Sequence, residues 1–232
     1  MAILMTEAYH KPSTKQRWGA SQKAAVAKLH DLSLDSLHIN AGKRYNAIVS
    51  ALPKPLPADA SILDIGCGPV CTAKLFNSSH TTYVDPLLDN FKRIFPGELP
   101  KGEFIIRRAE DIPKPDASFD LILCLNMLSC SLNPELIMHE VRRLLKPGGN
   151  FAVSITLWPE LLARLHYAKM QLFPMGEYQN RLYCYTLTGI KNTFLRHFDI
   201  LSETPLDTSA PRFSQEWIFL CQHKNKPSDA NR

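Results

Sequence analysis

The sequence predicts an α/β fold, in which a largely parallel sheet is covered by helices on both faces. Three observations lead there. Short, continuous apolar runs recur at 61–65 (SILDI), 81–84 (TTYV), 103–106 (EFII), 119–125 (FDLILCL) and 150–156 (NFAVSIT). Strands buried on both faces read as unbroken apolar runs of this kind rather than as alternating ones. Helix-compatible stretches lie between them, notably PELIMHEVRRLLKPGG at 134–149, and strands alternating with helices imply parallel pairing. The first run also ends on Asp64-Ile65 and turns sharply through Gly66-Cys67-Gly68-Pro69 before helix-compatible residues resume.

Each element has its own signal. From Ser13, STKQRWGASQKAAVAKLHDL opens with a capping residue and continues Ala/Lys-rich, which predicts a helix. NAGKRYNAIVSAL (40–52) predicts a second, stopped by the proline-rich PKPLPADA at 53–60. After the fifth strand, WPELLARLHYAKMQLF (158–173) places Leu161, Leu162, Leu165 and Leu172 near helical spacing, and TLTGIKNTFLRHF (186–198) predicts another helix. DILSE and SQEWIFLCQH supply the last two strands. Residues 1–12 and the tail KNKPSDANR are expected to be mobile. The expected plan is one domain: a helical cap (1–57), a core (60–156), a helical insertion (157–197), two final strands (198–223) and a tail (224–232).

Composition narrows the function classes. At 232 residues, 45% hydrophobic and 21% charged, the chain reads as an ordinary globular protein. The longest apolar run, 119–132, carries Asp120 and Asn126 and falls short of the ~18 residues a membrane span needs. No secretory signal is read at the start, where Glu7, His10 and Lys11 follow a brief apolar stretch. The six cysteines show no CxxC pair, so buried thiols in a reducing cytoplasm are expected, not disulfides or zinc. Cys67 and Cys71 are read in the same way. The net charge of +5 comes mostly from residues 1–60, with eight Lys/Arg against four Asp/Glu. So mild a bias favours a small molecule over nucleic acid as partner.

The chemistry concentrates at the ends of the first strands. Glycines let a backbone approach a ligand closely, and a helix starting just beyond would offer its amides to that ligand. A dinucleotide fingerprint would need glycine at 71, where Cys71 stands. An aspartate at the loop entrance also suits an ammonium or sulfonium better than a pyrophosphate. Asp85, 21 residues after Asp64 at the tip of the second strand, is placed to accept hydrogen bonds from both hydroxyls of a ribose. RRAEDIP (107–113), after the third strand, offers a backbone amide and a short carboxylate to an adenine edge.

In this order and spacing, ILDIGCGP (62–69), VDP (84–86), RAEDIP (108–113), FDLILCLNML (119–128) and LLKPGG (144–149) resemble the class I S-adenosylmethionine-dependent methyltransferases, particularly the type 11-like group acting on small molecules. The resemblance covers about residues 60–156. It implies a Rossmann-like seven-stranded sheet with an antiparallel last strand, and S-adenosyl-L-methionine across the ends of the first four strands. It further implies that Asp64 lies near the methionyl ammonium, with Gly66, Cys67 and Gly68 lining the cofactor. Asp85 would hold the ribose, with Pro86 beside the adenine. Ala109, Glu110 and Asp111 would bound that base, and Leu125, Asn126 and Met127 would underlie the methionyl portion. The chain departs from the pattern at Val70, where many relatives have a third glycine, and at Ser129 and Cys130, where an acidic residue and a histidine are common.

Arg44 and Tyr45 precede Asp64 by about twenty residues on the second helix, and the resemblance makes Arg44 a candidate for the cofactor carboxylate. Tyr9, His10 and Trp18 are candidates for a lid, although Trp18 also suits a helix-packing anchor. His139 reads as structural. His166, in the insertion expected to cover an acceptor, is the candidate general base, against the reading of a surface histidine. Tyr178, Arg181 and Tyr183 are further candidates for that pocket. The expected activity is methyl transfer to an O, N or S atom of a small-molecule acceptor in the cytoplasm. Two alternatives are an RNA or protein methyltransferase and a catalytically silent cofactor-binding partner.

Overall fold

The computed structural model describes residues 13–172, 181–208 and 210–224. Its centre is a seven-stranded sheet of β1 (Ser61–Ile65), β2 (His80–Val84), β3 (Glu103–Ile105), β4 (Phe119–Leu125), β5 (Leu145–Leu157), β6 (Phe198–Leu206) and β7 (Gln215–His223). The strand order is β3-β2-β1-β4-β5-β7-β6. The first five strands pair in parallel, and β7 runs antiparallel between β5 and β6. Strand order therefore reverses at β1, which opens a crevice at the carboxyl ends of β1 and β4, the place where sheets of this kind receive ligands.

Side-chain alternation along the strands divides the core in two. Leu63, Ile65, Ile122, Cys124, Phe151 and Val153 pack with Ile137, Met138 and Val141 of α4 (Pro134–Leu144) and Ile190 of α6 (Leu187–Thr193). On the opposite face, Ile62, Leu121, Leu123 and Ala152 meet Ile48 of α2 (Leu34–Ala51) and Leu88 and Phe91 of α3 (Leu88–Ile94). The α4 helix forms where the sequence signals it: Asn133 accepts hydrogen bonds from the amides of Glu135 and Leu136, Pro134 starts the helix, and an apolar stripe faces the sheet. Ahead of the sheet, α1 (Thr14–Ala27) begins with a capping box between Ser13 and Gln16. After β5, α5 (Glu160–Leu172) begins the expected insertion.

The architecture is the one expected, with local corrections. No α-helix follows β1. A 3-10 turn at Thr72–Phe76 stands there, flanked by Cys71 and Asn77 in left-handed conformation (φ 51° and 53°). Both left-handed residues break helical propagation within the short connection to β2. The second helix begins at Leu34, six residues before the expected start, because Ser33 caps it on the amide of Ser36. In LLKPGG, Leu144 ends α4 and the remainder lies within β5, whose pairing shifts register as Leu145 and then Asn150 meet Phe119 and Leu121. The residues expected to be mobile, 1–12 and all of the tail beyond Lys224, lie outside the described residues. No helix among the described residues is long and apolar enough to cross a membrane.

Ile122 is fully buried at the middle of β4. Ile122→Ala should lower unfolding free energy by about 2–5 kcal/mol in chemical denaturation, since a central strand leaves little room for collapse around the cavity.

Candidate functional site

Two buried carboxylates organise the carboxyl edge of the sheet. Asp64, on β1, accepts a hydrogen bond from the Ala73 amide at 2.9 Å and so ties down the 3-10 turn. Asp85, just past β2, accepts from the Leu87 amide through Oδ1 (2.8 Å) and from the Gly68 amide through Oδ2 (3.2 Å). It thereby clamps the glycine loop to the tip of the second strand. Gly66 in turn donates its amide to the Val84 carbonyl at 2.7 Å. With φ +66°, and with the place of a Cβ only 2.8 Å from Cγ of Met127, position 66 admits glycine alone without rearrangement.

Burial penalises the charge on both groups. It raises the Asp64 pKa to about 7, against the lowering effect of the Ala73 amide, with the neighbouring Asp85 adding to the rise. It raises Asp85 to about 6, against the Leu87 and Gly68 amides. Among the described residues, no cationic side chain bonds to either carboxylate. Each therefore faces the cleft with unmet capacity to accept donors or a cation.

Two hollows meet at Gly66. One, of about 150 Å³, lies between Asp85-Pro86-Leu87, Ala109-Glu110 and Met127, and is walled by Trp18, Gln22 and Ala25 of α1 and by Arg108, Cys130 and Ser131. The other, of about 180 Å³, lies between Leu37, Ala41 and Arg44 of α2, the loop Gly66–Val70 with Asp64 and Thr72, and Leu125-Asn126. The expected residues Asp64, Gly66, Cys67, Gly68, Asp85, Pro86, Ala109, Glu110, Leu125, Asn126, Met127 and Arg44 thus all line one or the other of two hollows that share Gly66. Asp111 is exposed and lines neither hollow. The helix expected to offer its N-terminus is replaced by the Asp64-tied 3-10 turn, and the amides of Gly66, Gly68 and Ala73 are spent on Val84, Asp85 and Asp64.

Several residues carry partners that the sequence did not disclose. Glu110 accepts from the Leu132 and Asn133 amides, both at 2.9 Å, and fastens the segment after β4 to the first hollow. Arg44 is held by Glu216 of β7 through Nε (2.8 Å) and Nη2 (2.9 Å). Glu216 was legible only as one carboxylate in an otherwise apolar strand, EWIFLC. Asn126 adopts φ 53° and accepts from the Thr156 hydroxyl at 3.0 Å. Trp18 packs below the Arg108 guanidinium, 6.0 Å from its ring centre, as a wall of the first hollow. Gln22 had given no sequence signal as a wall residue, and Cys130 stood out only as a departure from the family pattern.

The candidate base lies apart from both hollows. His166 packs on Trp158 with ring centres 4.2 Å apart, and burial together with Lys169 holds its pKa below the ordinary value. Tyr183 donates its hydroxyl to the Leu132 carbonyl at 2.9 Å. Tyr9, His10 and Tyr178 lie outside the described residues. Cys67, Cys71, Cys124, Cys130 and Cys221 are free thiols, and among the described residues no cluster of three metal-ligating side chains occurs.

Residues 63–153 match the family model described as a methyltransferase domain. Among similar curated proteins, a ubiquinone biosynthesis O-methyltransferase of Xylella fastidiosa is 32% identical over 131 residues, covering 52% of this chain and 53% of that protein. A thiol S-methyltransferase of Homo sapiens is 29% identical over 99 residues, 39% of this chain and 40% of its own. An uncharacterised protein of Methanocaldococcus jannaschii is 29% identical over 55% of this chain and 59% of its length. The chain spans about half the length of such relatives. Among solved structures, the 1,6-didemethyltoxoflavin-N1-methyltransferase of Burkholderia thailandensis, holding 1,6-didemethyltoxoflavin and S-adenosylhomocysteine, aligns with TM-score 0.63 and 17% identity over 92% of both chains. A putative methyltransferase of Bacillus halodurans aligns with TM-score 0.62 and 14% identity over 78% of this chain and 99% of that one. At such identities these likenesses show the fold.

The raised carboxyls predict a pH dependence of stability. In the unfolded chain both titrate near 3.8, whereas folded they titrate at about 7 and about 6. Between roughly pH 4 and 7 the folded chain holds protons that the unfolded chain has released, so stability falls as pH rises through that window. Asp64→Asn keeps an acceptor for the Ala73 amide and removes one of these protons. Urea denaturation at pH 5 and pH 8 should show a smaller loss in this variant than in the wild type; equal losses would contradict the assignment.

Proposed function

We propose that this chain, which through residues 63–153 belongs to the methyltransferase domain family, transfers a methyl group from S-adenosylmethionine to an O, N or S atom of a small-molecule acceptor. The observation that carries the cofactor reading is the placement of Asp64 and Asp85 in two hollows that share Gly66, a glycine that admits no side chain without rearrangement. The donor set fits such a cofactor. Asp85 has lone pairs left for two ribose hydroxyls beside its two amide bonds. The second hollow has Asp64 and Arg44 as its charged groups, a pairing complementary to an amino-acid ammonium and carboxylate. Pro86, Ala109 and Met127 supply apolar surface for the base and the thioether end.

When bound, the cofactor supplies an electrophilic methyl group on a sulfonium with a good leaving group behind it. The protein's share is then alignment and exclusion of water. Asp64 and Arg44 fix the amino-acid end, Asp85 the sugar, and Gly66 and Met127 the bend between the two hollows. Beside the first hollow, Cys130 is held neutral: burial raises its thiol, outweighing Ser129 and Arg181. No charged base is thus offered by the position where many relatives have histidine, and an acceptor that is already nucleophilic, such as a thiolate or neutral amine, needs none.

The small-molecule reading is supported by a hollow of about 550 Å³ on the same edge of the sheet, walled by Trp158, Phe213 and Trp217 with Leu157, Leu187 and Leu206. Its volume lies within the range of ligand pockets. Residues 157–197 serve as the acceptor lid in this reading. His166, on α5 against Trp158 and uncharged at neutral pH, is the base reserve for an alcohol acceptor.

Equilibrium dialysis should give micromolar-range binding of S-adenosylmethionine. Asp85→Ala should weaken it at least about tenfold, as loss of charge-assisted bonds to a diol implies; equal binding by the variant would contradict the site. Incubation with thiol, amine and phenol panels should release S-adenosylhomocysteine. Binding without release from any acceptor would favour the silent partner-protein alternative.

A further inference from the structure

We infer that Glu216 is a positioning residue that holds the Arg44 guanidinium toward the methionyl-side hollow and so makes the site select a cofactor with an intact α-carboxylate. The inference rests on the cofactor reading above. Its basis is a saturated carboxylate in an unexpected place. The Glu216 side chain is 2% exposed, and each oxygen accepts two hydrogen bonds. Oε1 takes Arg44 Nε and the Ser154 hydroxyl; Oε2 takes Arg44 Nη2 and the Thr208 hydroxyl at 2.8 Å. Burial opposes ionisation, yet Arg44 and the two hydroxyls outweigh it and keep Glu216 below the usual carboxylate range. The ion pair is therefore fixed from β5, β7 and the segment after β6.

The geometry of that grip matters. Bidentate pairing through Nε and Nη2 orients the planar guanidinium and leaves Nη1 without an acceptor among the described residues. Arg44 lines the hollow that also contains Asp64, and its charge already acts on the Asp64 carboxyl. A guanidinium without Glu216 would be drawn onto that carboxylate, and the two would satisfy each other. Glu216 prevents this collapse. It keeps the guanidinium and the ionisable Asp64 carboxyl apart, so that the hollow offers a cation and an acceptor to the two ends of a zwitterion.

The test compares two ligands that differ only at the predicted contact: S-adenosylmethionine and decarboxylated S-adenosylmethionine, titrated calorimetrically into the full chain. Wild type should prefer the intact cofactor by about tenfold or more, the worth of one charge-assisted contact. Glu216→Gln should lose most of that preference, weakening the intact ligand about tenfold while leaving the decarboxylated one within about twofold. An unchanged preference, or equal weakening of both ligands, would overturn the inference. The double variant Arg44→Met/Glu216→Met replaces the buried pair with apolar groups, a change that often preserves folding. It too should bind both ligands alike, and a retained preference would count against the inference. Wild type binding neither ligand would defeat the cofactor reading itself, and this inference with it.

Discussion

The hydrogen bond from the Gly68 amide to the Asp85 carboxylate is the constraint on which the rest of the site depends. It joins the loop after β1 to the tip of β2, and with the Gly66 amide on the Val84 carbonyl it leaves that loop one place to go. Burying carboxylates at such positions is unfavourable, and the raised pKa values record the cost. The backbone amides offset part of it. The remainder persists as an unmet demand for donors at the rim of a cleft, and such stored cost at the edge of a rigid sheet is a common mark of a binding site.

The sheet and the helices divide the labour. The order reversal at β1 opens the crevice, and the end of β4 with the two residues after it sets Leu125, Asn126 and Met127 along the hollows. The two N-terminal helices then wall it, α1 with Trp18 and Gln22 and α2 with Leu37, Ala41 and Arg44. The distant β7 also reaches the site, since Glu216 fixes Arg44 from two strands beyond β4. The residues that line the two hollows are thus spread along the chain, whereas the family match is confined to residues 63–153.

The legible parts of the sequence were those in which local chemistry and global fold agree. Five apolar runs predicted β1 to β5, because doubly buried parallel strands tolerate few polar residues. Asp64, Gly66, Gly68 and Asp85 were readable because ILDIGCGP and VDP set them at the tips of the first two apolar runs, in order and at matching spacing. The helix expected after β1 failed on backbone detail: Cys71 adopts the left-handed conformation a glycine would take, and nothing in CTAKLF announces that. Asp111 was placed at the first hollow by motif alone, while the structure gives that wall to Ala109 and Glu110. The Arg44–Glu216 pair was not readable, because 172 residues separate its partners and only folding brings them together.

In the proposed complex, one carboxylate at the end of β2 holds a sugar while the glycine loop beneath lets an adenosyl ligand span both hollows. A crystal structure of the chain soaked with S-adenosylhomocysteine tests it most directly. Density is expected across Gly66, with both ribose hydroxyls on Asp85 and the amino-acid end between Asp64 and Arg44. A ligand bound elsewhere, or a ribose turned away from Asp85, would contradict it.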